Sequence, residues 1–369
     1  EVVVWYSFTR VRQGRIKAPG NPAFAFYHCI SRVVDRRFVL NRLERDQFMQ
    51  FMREYEIFCG VKVVTFTVLN NHFHILVMVP RRPASGLEDD ELLARVEGLS
   101  GTGGSQATRQ LLTRFRKLEQ DDQAESLRKR ILARMWDLSA FMKLLKQRFS
   151  QWFNKLHDRA GTLWESRFKS ILVESVGEAL AAMAAYIDLN PLRAGIAPDP
   201  MHYDWSGYGQ AMKGDVRAGE GLRLVMAGAL RMNPEDLSVD EALRQYRMWL
   251  YVQGEQTEGT DEQGRPLRKG FDPEEVLAEI RRKGRVPTSQ YLRVRARYFV
   301  DGLVLGGRDY VNAVFAVLRE RFGPKRQDGA RRMRGVESKE LYTMRDFRLR
   351  VFGRREARPA PGADTGPPR

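Results

Sequence analysis

The feature that most constrains the fold is a pair of apolar, β-branched runs separated by two asparagines. Residues 61–69 and 72–79 have strand composition, and Asn70 and Asn71 between them tolerate the positive φ of a tight turn. This pattern predicts an antiparallel hairpin. Because side chains alternate along a strand, residues two apart in either run share one face of the sheet.

Five further elements are predicted from apolar periodicity and from helix stop signals. They are a strand at 24–33, a helix at 43–58, a helix at 138–156, a strand at 167–174 and a helix at 176–189. With the hairpin, the order is strand, helix, strand, strand, helix, strand and a final helix. This order predicts an α+β fold with a ferredoxin-like antiparallel sheet and helices packed on it.

The chain of 369 residues is long enough for this unit and further modules. The predicted core domain spans 15–212 and contains an insertion at about 81–136 that includes a glycine-rich stretch. A variable segment and linker is predicted at 213–270. A small helical module, compatible with a helix-turn-helix unit, is predicted at 271–322, and a basic, partly disordered tail at 323–369.

Charge and composition narrow the classes of partner. An excess of 62 Lys and Arg over 46 Asp and Glu gives a net charge of +16, which attracts polyanions and favours nucleic acid. No apolar stretch approaches the roughly 20 residues that span a bilayer, so no membrane contact is expected. Only Cys29 and Cys59 are present, too few for a disulfide scaffold. We expect a cytoplasmic, nucleoid-associated protein.

His72 and His74 flank Phe73 in the second strand of the predicted hairpin. Strand alternation places both imidazoles on one face, about 6 to 7 Å apart, where they can share one metal ion. The alternative is that one or both histidines are ordinary polar residues on an exposed sheet face.

The helix predicted at 176–189 carries a tyrosine that could act as a nucleophile. Its apolar stripe at helical spacing consists of Leu180, Met183, Ala184 and Ile187. Tyr186 lies off the centre of that stripe, with Ala182 and Asn190 one turn away on either side. This position predicts a reachable hydroxyl. A tyrosine at the rim of the core and an asparagine at a helix terminus are the alternatives.

Five segments resemble the REP-associated and related single-tyrosine HUH transposases of bacteria, and they follow one another in the family's order. The segments are Tyr27-His-Cys-Ile-Ser-Arg32, Asn71-His-Phe-His-Ile-Leu76, Gly161-Thr-Leu-Trp-Glu-Ser-Arg-Phe-Lys169, Tyr186-Ile-Asp-Leu-Asn-Pro-Leu-Arg-Ala-Gly195 and Tyr203-Asp-Trp-Ser-Gly-Tyr208. The resemblance covers most of residues 20–212 apart from the insertion. It departs from the family pattern at Asp188, where the family often has a histidine, and Asp188 is not expected to bind metal.

The resemblance implies a metal-dependent endonuclease and strand transferase that cuts single-stranded DNA through a 5′-phosphotyrosine intermediate. It implies that His72 and His74 are the HUH metal ligands, Tyr186 the nucleophile and Asn190 a third ligand. The metal is expected to be Mg²⁺ or Mn²⁺. Two imidazoles and an amide are softer ligands than Mg²⁺ prefers, which favours Mn²⁺.

The expected partner is single-stranded, hairpin or palindromic repeat DNA, and a homodimer and a monomer both remain open. Backbone phosphates attract basic side chains, and unpaired bases stack on aromatic rings. The predicted DNA-binding residues are Arg32, Arg167, Lys169 and Arg193 for the backbone and Trp164 for an unpaired base.

Two other functions fit parts of this pattern. A domesticated DNA-binding or regulatory protein would keep the fold without cleavage, but the intact set of His72, His74 and Tyr186 favours an enzyme. RNA binding by a basic ferredoxin-like sheet is the other alternative. Its stacking aromatic residues would be expected where the histidines lie, which disfavours RNA.

Overall fold

The structure is a computed structural model that describes residues 15–254, 257–260, 266–268, 297–333 and 340–345. Nine strands lie in these ranges. They are β1 (Phe24–Arg32), β2 (Lys62–Val68), β3 (His72–Pro80), β4 (Lys169–Val173), β5 (Thr257–Thr260), β6 (Pro266–Arg268), β7 (Gly302–Gly306), β8 (Arg331–Arg332) and β9 (Tyr342–Arg345). Seven of them form one mixed sheet, and β5 pairs with β6 in a separate two-stranded sheet.

The main sheet has the strand order β2-β3-β1-β4-β7-β9-β8. Its first four strands are antiparallel, and the central pair is in register with Ile30 opposite His74 and Arg32 opposite His72. The next neighbours, β4 and β7, run parallel. The antiparallel strands β9 and β8 complete the sheet. The sheet and the helices around it confirm the predicted α+β class.

Eleven α-helices lie in the described ranges. They are α1 (Arg42–Cys59), α2 (Asp89–Lys117), α3 (Asp121–Leu132), α4 (Leu138–Leu156), α5 (Glu178–Asp188), α6 (Asn190–Arg193), α7 (Gly207–Met212), α8 (Val216–Leu230), α9 (Val239–Gly254), α10 (Arg297–Val300) and α11 (Arg308–Val317). Within the residues described, none is long and apolar enough to cross a membrane.

One face of the sheet packs against α1 and α4. The helix α1 begins where the Glu44 carboxylate accepts from the backbone N–H of Asn41 at 2.9 Å, and it ends at Gly60 in the left-handed conformation. Its Phe48 is fully buried and contacts Phe73 of β3 and Phe149 of α4, with ring centroids 4.7 and 5.2 Å apart. These aromatic contacts fix both helices on the face opposite the two histidines.

The other face packs against α5, α8 and α9. Every residue of α5 from Ala179 to Asp188 is buried, because its alanines let the helix lie between the sheet and the helices α8 and α9. The closest approach is at Gly221 of α8, where a Cβ atom would lie 2.0 Å from the carbonyl oxygen of Val64 in β2. The sequence predicts a variable segment over 213–270, but residues 216–254 form most of this second layer.

The insertion predicted at about 81–136 contains α2 and α3. The glycine-rich stretch at 101–105, interpreted from sequence as a break, lies inside the 29-residue helix α2. Flanking residues with good helix propensity continue the helix through these glycines. A Cβ at Gly103 would meet no atom within 4 Å, so this glycine is not required by packing.

The predicted C-terminal helical module and basic tail differ from the structure. Residues 271–296 lie outside the described part of the chain, as do 334–339 and 346–369. In the described remainder, α10 and α11 are helical, but β7 between them joins the main sheet beside β4. The tail prediction is corrected at β8 and β9, which extend the same sheet. At β7 the sequence shows only a glycine-containing connection, and pairing with the distant strand β4 makes it a strand.

A pair of glycine substitutions tests this packing. We expect Gly221→Ala to lower the free energy of unfolding by about 1 to 3 kcal/mol, because the new methyl group meets backbone that cannot move freely. Gly103→Ala is the control, since the same change in open space should stabilise α2 by about 0.5 to 1 kcal/mol. Urea unfolding followed by circular dichroism measures both. Equal effects of the two substitutions would contradict the close approach of α8 to β2.

Candidate active site

The two histidines of β3 lie on the α5 face of the sheet. Their ring centroids are 5.1 Å apart with planes inclined by 75°. This separation is short enough for one ion to reach a nitrogen of both rings, since metal-to-imidazole bonds are about 2.0 to 2.2 Å long. His72 is partly exposed, whereas His74 is buried.

The hydrogen bonds of the rings define which nitrogen is available. The Nδ1 atom of His72 lies 2.6 Å from Oδ1 of Asn71, while Nδ2 of Asn71 donates to the carbonyl of Arg36 at 3.0 Å. The second bond fixes the Asn71 amide with its oxygen toward His72, so His72 donates from Nδ1. Its Nε2 atom then carries the lone pair that can bind a metal ion. The corresponding bond of His74 runs from Nδ1 to Nε2 of His28 at 2.9 Å.

Burial keeps these imidazoles neutral. Desolvation lowers the pKa of His72 to about 4, with a smaller contribution from the nearby Arg32 charge. Desolvation lowers the pKa of His28 to about 3. The pKa of His74 lies well below its ordinary value, again mainly through burial and then through the neighbouring His28 and His72. Neutral imidazole is the form that binds a metal ion.

Tyr186 of α5 lies against both buried histidines. Its ring centroid is 5.7 Å from that of His74 and 6.1 Å from that of His28. The Phe299 ring of α10 stacks on it at 4.6 Å with an interplanar angle of 12°. Tyr186 is consequently only 6% exposed, so the prediction of a reachable hydroxyl is wrong for this conformation. The covering residue comes from a distant segment that periodicity within the helix cannot reveal.

Burial and two arginines shift the pKa of Tyr186 in opposite directions, and burial has the larger effect. Desolvation raises the pKa of the phenol above its ordinary value, while the charges of Arg193 and Arg32 lower it and that of Asp301 raises it. The Arg193 guanidinium carbon lies 4.8 Å from the centroid of the Tyr186 ring. The two guanidinium groups therefore lie where they would stabilise a phenolate or a phosphate.

Asn190 at the start of α6 is held against the preceding helix. Its Nδ2 donates to the carbonyl of Tyr186 at 2.6 Å and, more weakly, to that of Ile187 at 3.4 Å. These bonds leave Oδ1 as the amide atom that could bind a cation. They also tie the predicted third ligand to the backbone of the predicted nucleophile.

The donor types of the predicted ligands His72, His74 and Asn190 would suit a divalent cation. Two imidazole nitrogens and one amide oxygen are ligands of the kind that Mn²⁺ accepts readily, with water or phosphate oxygens completing the coordination. In the part of the chain that the structure describes, no three His, Cys, Asp or Glu side chains form a metal-binding group. A metal at this site would therefore need the Asn190 oxygen or the substrate as its third ligand.

The other basic residues predicted to bind DNA differ in their surroundings. Lys169 pairs with Asp301 at 3.2 Å, with both side chains more than half exposed. Arg167 is exposed on the loop before β4. Arg32 and Arg193 are partly buried beside Tyr186 and take part in no ion pair among the described residues. The structure thus separates two arginines at the site from two basic residues at its edge.

Trp164 does not have the setting of a base-stacking residue. Its indole packs against Phe73, Phe149 and Phe48, and its Nε1 donates to the carbonyl of Lys146 at 3.1 Å. Only 7% of the residue is exposed. The prediction of base stacking by Trp164 is corrected to a packing role, because its ring already fills the core between the sheet and α4.

Asp188 anchors the tyrosine helix away from the histidines. Its Oδ1 accepts from Thr65 at 2.7 Å and from the backbone of Tyr208 at 3.3 Å, and its Oδ2 accepts from Tyr246 at 2.5 Å. Burial raises the pKa of this carboxyl to about 7, and the three hydrogen bonds oppose the rise. The side chain is fully engaged with β2, α7 and α9.

His28 is fully buried, and both of its ring nitrogens are hydrogen-bonded. Phe299 and Asp301, which cover Tyr186 and pair with Lys169, were not predicted. No local pattern around these two residues distinguishes them from other residues of a short helix end.

Comparisons with solved structures include a distant likeness. No protein-family model matches the chain, and no curated protein matches it. A solved structure, that of a REP-associated tyrosine transposase bound to a REP hairpin, aligns over 56% of this chain and 86% of its own. The identity is 12% and the TM-score 0.35. A likeness at this level does not establish a shared fold or function.

Removal of the Asp188 carboxyl should loosen the helix that carries Tyr186. We expect Asp188→Ala to lower the free energy of unfolding by about 2 to 4 kcal/mol, because it leaves buried donors on Thr65, Tyr208 and Tyr246 without an acceptor. Asp236→Ala, at an exposed position, should change it by less than about 0.5 kcal/mol. Urea unfolding of both variants checks this, and similar values would exclude an anchoring role.

Proposed function

We propose that this chain is a metal-dependent endonuclease and strand transferase for single-stranded DNA, with Tyr186 as the nucleophile of a 5′-phosphotyrosine intermediate. The observation that carries the proposal is the convergence of Tyr186 with His72 and His74. The tyrosine and the histidines come from separate elements, yet the rings of Tyr186 and His74 are 5.7 Å apart. Two neutral imidazoles beside a tyrosine form a site for a metal and a nucleophile.

We also propose that β1 to β4 with α1 and α4 are a ferredoxin-like HUH core. The strand order β2-β3-β1-β4 supports this, because each helix connects two strands that are separated by a third. Both helices lie on one face, and α5 with Tyr186 lies on the other, beside the histidines. The proposed nucleophile and ligands thus lie on the face of the sheet that α1 and α4 do not cover.

The chemistry is an exchange of two phosphate ester bonds. The Tyr186 oxygen forms a bond to phosphorus as its proton leaves, and the bond from phosphorus to the 3′ oxygen breaks. That oxygen takes up a proton and becomes a free 3′-hydroxyl, while the 5′ phosphate stays on the tyrosine. The reverse exchange with another 3′-hydroxyl rejoins strands without a nucleotide cofactor.

The side chains around Tyr186 have distinct roles in this proposal. His72, His74 and Asn190 would hold Mg²⁺ or Mn²⁺, which would polarise the scissile phosphate as a Lewis acid. Arg32 and Arg193 place positive charge beside the phenol, which favours its ionised form and binds a phosphate. Arg167 and Lys169 at the edge of the site would contact the DNA backbone farther along.

The proposed substrate is hairpin or palindromic repeat DNA with an unpaired strand at the cleavage site. The net charge of +16 supports a polyanionic partner. Binding requires access to a tyrosine that is 6% exposed, so the Phe299 ring must turn aside for a phosphate to reach it. Because the Phe299 ring covers Tyr186, a second candidate function is that of a DNA-binding protein that does not cleave.

A covalent adduct assay tests cleavage. We expect the wild-type protein to form an adduct with labelled hairpin DNA in Mn²⁺ and none in EDTA, on a denaturing protein gel. Tyr186→Phe should abolish the adduct, since it removes the attacking oxygen. Tyr55→Phe is the matched control, because Tyr55 is also buried but lies on the opposite face of the sheet. Tight binding without an adduct in any metal would favour the non-cleaving protein.

The contribution of the arginines can be measured separately from cleavage. We expect Arg32→Gln to weaken binding of single-stranded DNA and to make the slope of log K against log salt shallower by about 0.7 for each phosphate that the variant no longer neutralises. Lys155→Gln, on the exposed surface of α4, is the control and should leave the slope unchanged. Fluorescence anisotropy at low and at physiological salt gives the slopes, and identical slopes would show that Arg32 does not bind the DNA backbone.

A further inference from the structure

A continuous line of hydrogen bonds connects the C-terminal part of the chain to the proposed metal site. The Nδ1 atom of His28 lies 3.0 Å from the carbonyl oxygen of Phe299, and its Nε2 lies 2.9 Å from Nδ1 of His74. Both histidines are buried, at 0% and 1% exposure. Phe299 and His28 are 271 residues apart in sequence.

The chemistry of these atoms gives the line one direction. A carbonyl oxygen only accepts, so Nδ1 of His28 carries the hydrogen. The neutral ring then has its lone pair on Nε2, which accepts from His74. His74 must therefore donate from Nδ1, and its lone pair is left on Nε2.

We propose that His28 is a positioning residue that fixes His74 in the tautomer with Nε2 free to bind a divalent cation. The proposal rests on the metal-dependent function above and deepens it, because it assigns a role to a residue outside the ligand set. In this proposal His28 is not a ligand itself: it accepts from Nδ1 of His74 and is held in turn by the Phe299 carbonyl.

The second ligand has an equivalent arrangement, which argues for a built site. His72 donates from Nδ1 to Asn71, whose amide is oriented by its own bond to the Arg36 carbonyl. Both rings thus present Nε2, although His72 is oriented by the adjacent residue Asn71 and His74 by His28 of the neighbouring strand β1. The same ring nitrogen is therefore available in both proposed ligands.

The line of bonds also makes the C-terminal segment part of the site. The carbonyl of Phe299 ends the line, while the ring of the same residue stacks on Tyr186. The two contacts are separable, because Phe299→Ala removes the ring and keeps the carbonyl. We expect this variant to leave the His74 tautomer unchanged.

The first test measures the tautomer directly. Selective ¹⁵N labelling of histidine is practical because the chain has only five. We expect long-range ¹H–¹⁵N spectra of the metal-free wild-type protein to show His74 protonated on Nδ1. A His74 protonated on Nε2 would overturn the proposal, whatever the behaviour of any variant.

The second test measures Mn²⁺ affinity without DNA, by calorimetry and by the electron paramagnetic resonance of free Mn²⁺. His28→Leu removes donor and acceptor together, and we expect binding about 10- to 100-fold weaker, as for other residues that orient metal ligands. His28→Gln keeps one donor and one acceptor and should restore part of the affinity. His157→Leu is the control, since it removes a 2.9 Å bond to Glu44 outside the site.

The outcomes separate this inference from the proposed function. Unchanged Mn²⁺ affinity in a folded His28→Leu protein would overturn the positioning role, even where the wild type forms the adduct. A wild type that binds no Mn²⁺ and forms no adduct would overturn the proposed function and, with it, the metal-directed role of His28. Weaker binding in both the His28→Leu and His157→Leu proteins would indicate a general loss of structure and would also count against the inference.

Discussion

The pairing of β1 with β3 is the constraint on which the rest of the site depends. In this register Ile30 is opposite His74 and Arg32 opposite His72, so His28, His72 and His74 all lie on the α5 face. A slip of one residue would turn the histidines toward α1 and α4 and bring Phe73 and Ile75 to the other side. The aromatic core of Phe48, Phe73 and Phe149 opposes such a slip, because it holds the intervening residues on their own face. Packing on one face of the sheet thus determines that the three histidines lie on the other face.

The four core strands and their helices could be predicted from sequence because their signals are local. Alternation over residues 24–33 and 61–79 and the helical spacing of Phe48, Phe51 and Met52 all concern neighbours in the chain. The burial of Tyr186 could not be predicted in this way. The helix around it is buried on every side, since β2, α8 and Phe299 cover faces that an amphipathic helix would expose. The cover comes from elements elsewhere in the chain, and periodicity within the helix carries no information about them.

The strand β7 could not be predicted for a similar reason. The segment Gly302–Gly306 is five residues long and begins and ends with glycine, and its pairing with β4 depends on a strand about 130 residues earlier. The Glu174 carboxylate after β4 accepts from the backbone of Gly307 at 2.6 Å and helps fix that pairing. Once β7 is in place, Phe299 of α10 reaches both His28 and Tyr186. A single parallel pairing therefore decides whether the proposed nucleophile is covered.

The charges beside Tyr186 are predominantly positive. Arg32 and Arg193 lie beside Tyr186 and lower the pKa of its phenol. Asp301, the carboxylate that raises this pKa, is paired with Lys169. The three histidines are neutral and add no compensating charge. Two partly buried guanidinium groups that have no carboxylate partner among the described residues are costly in a folded protein unless a ligand neutralises them. A phosphate diester with a bound cation would provide such an anion and occupy both arginines and the histidine pair together. Neutralisation of the two arginines by that anion would then offset the cost of moving Phe299 aside on binding.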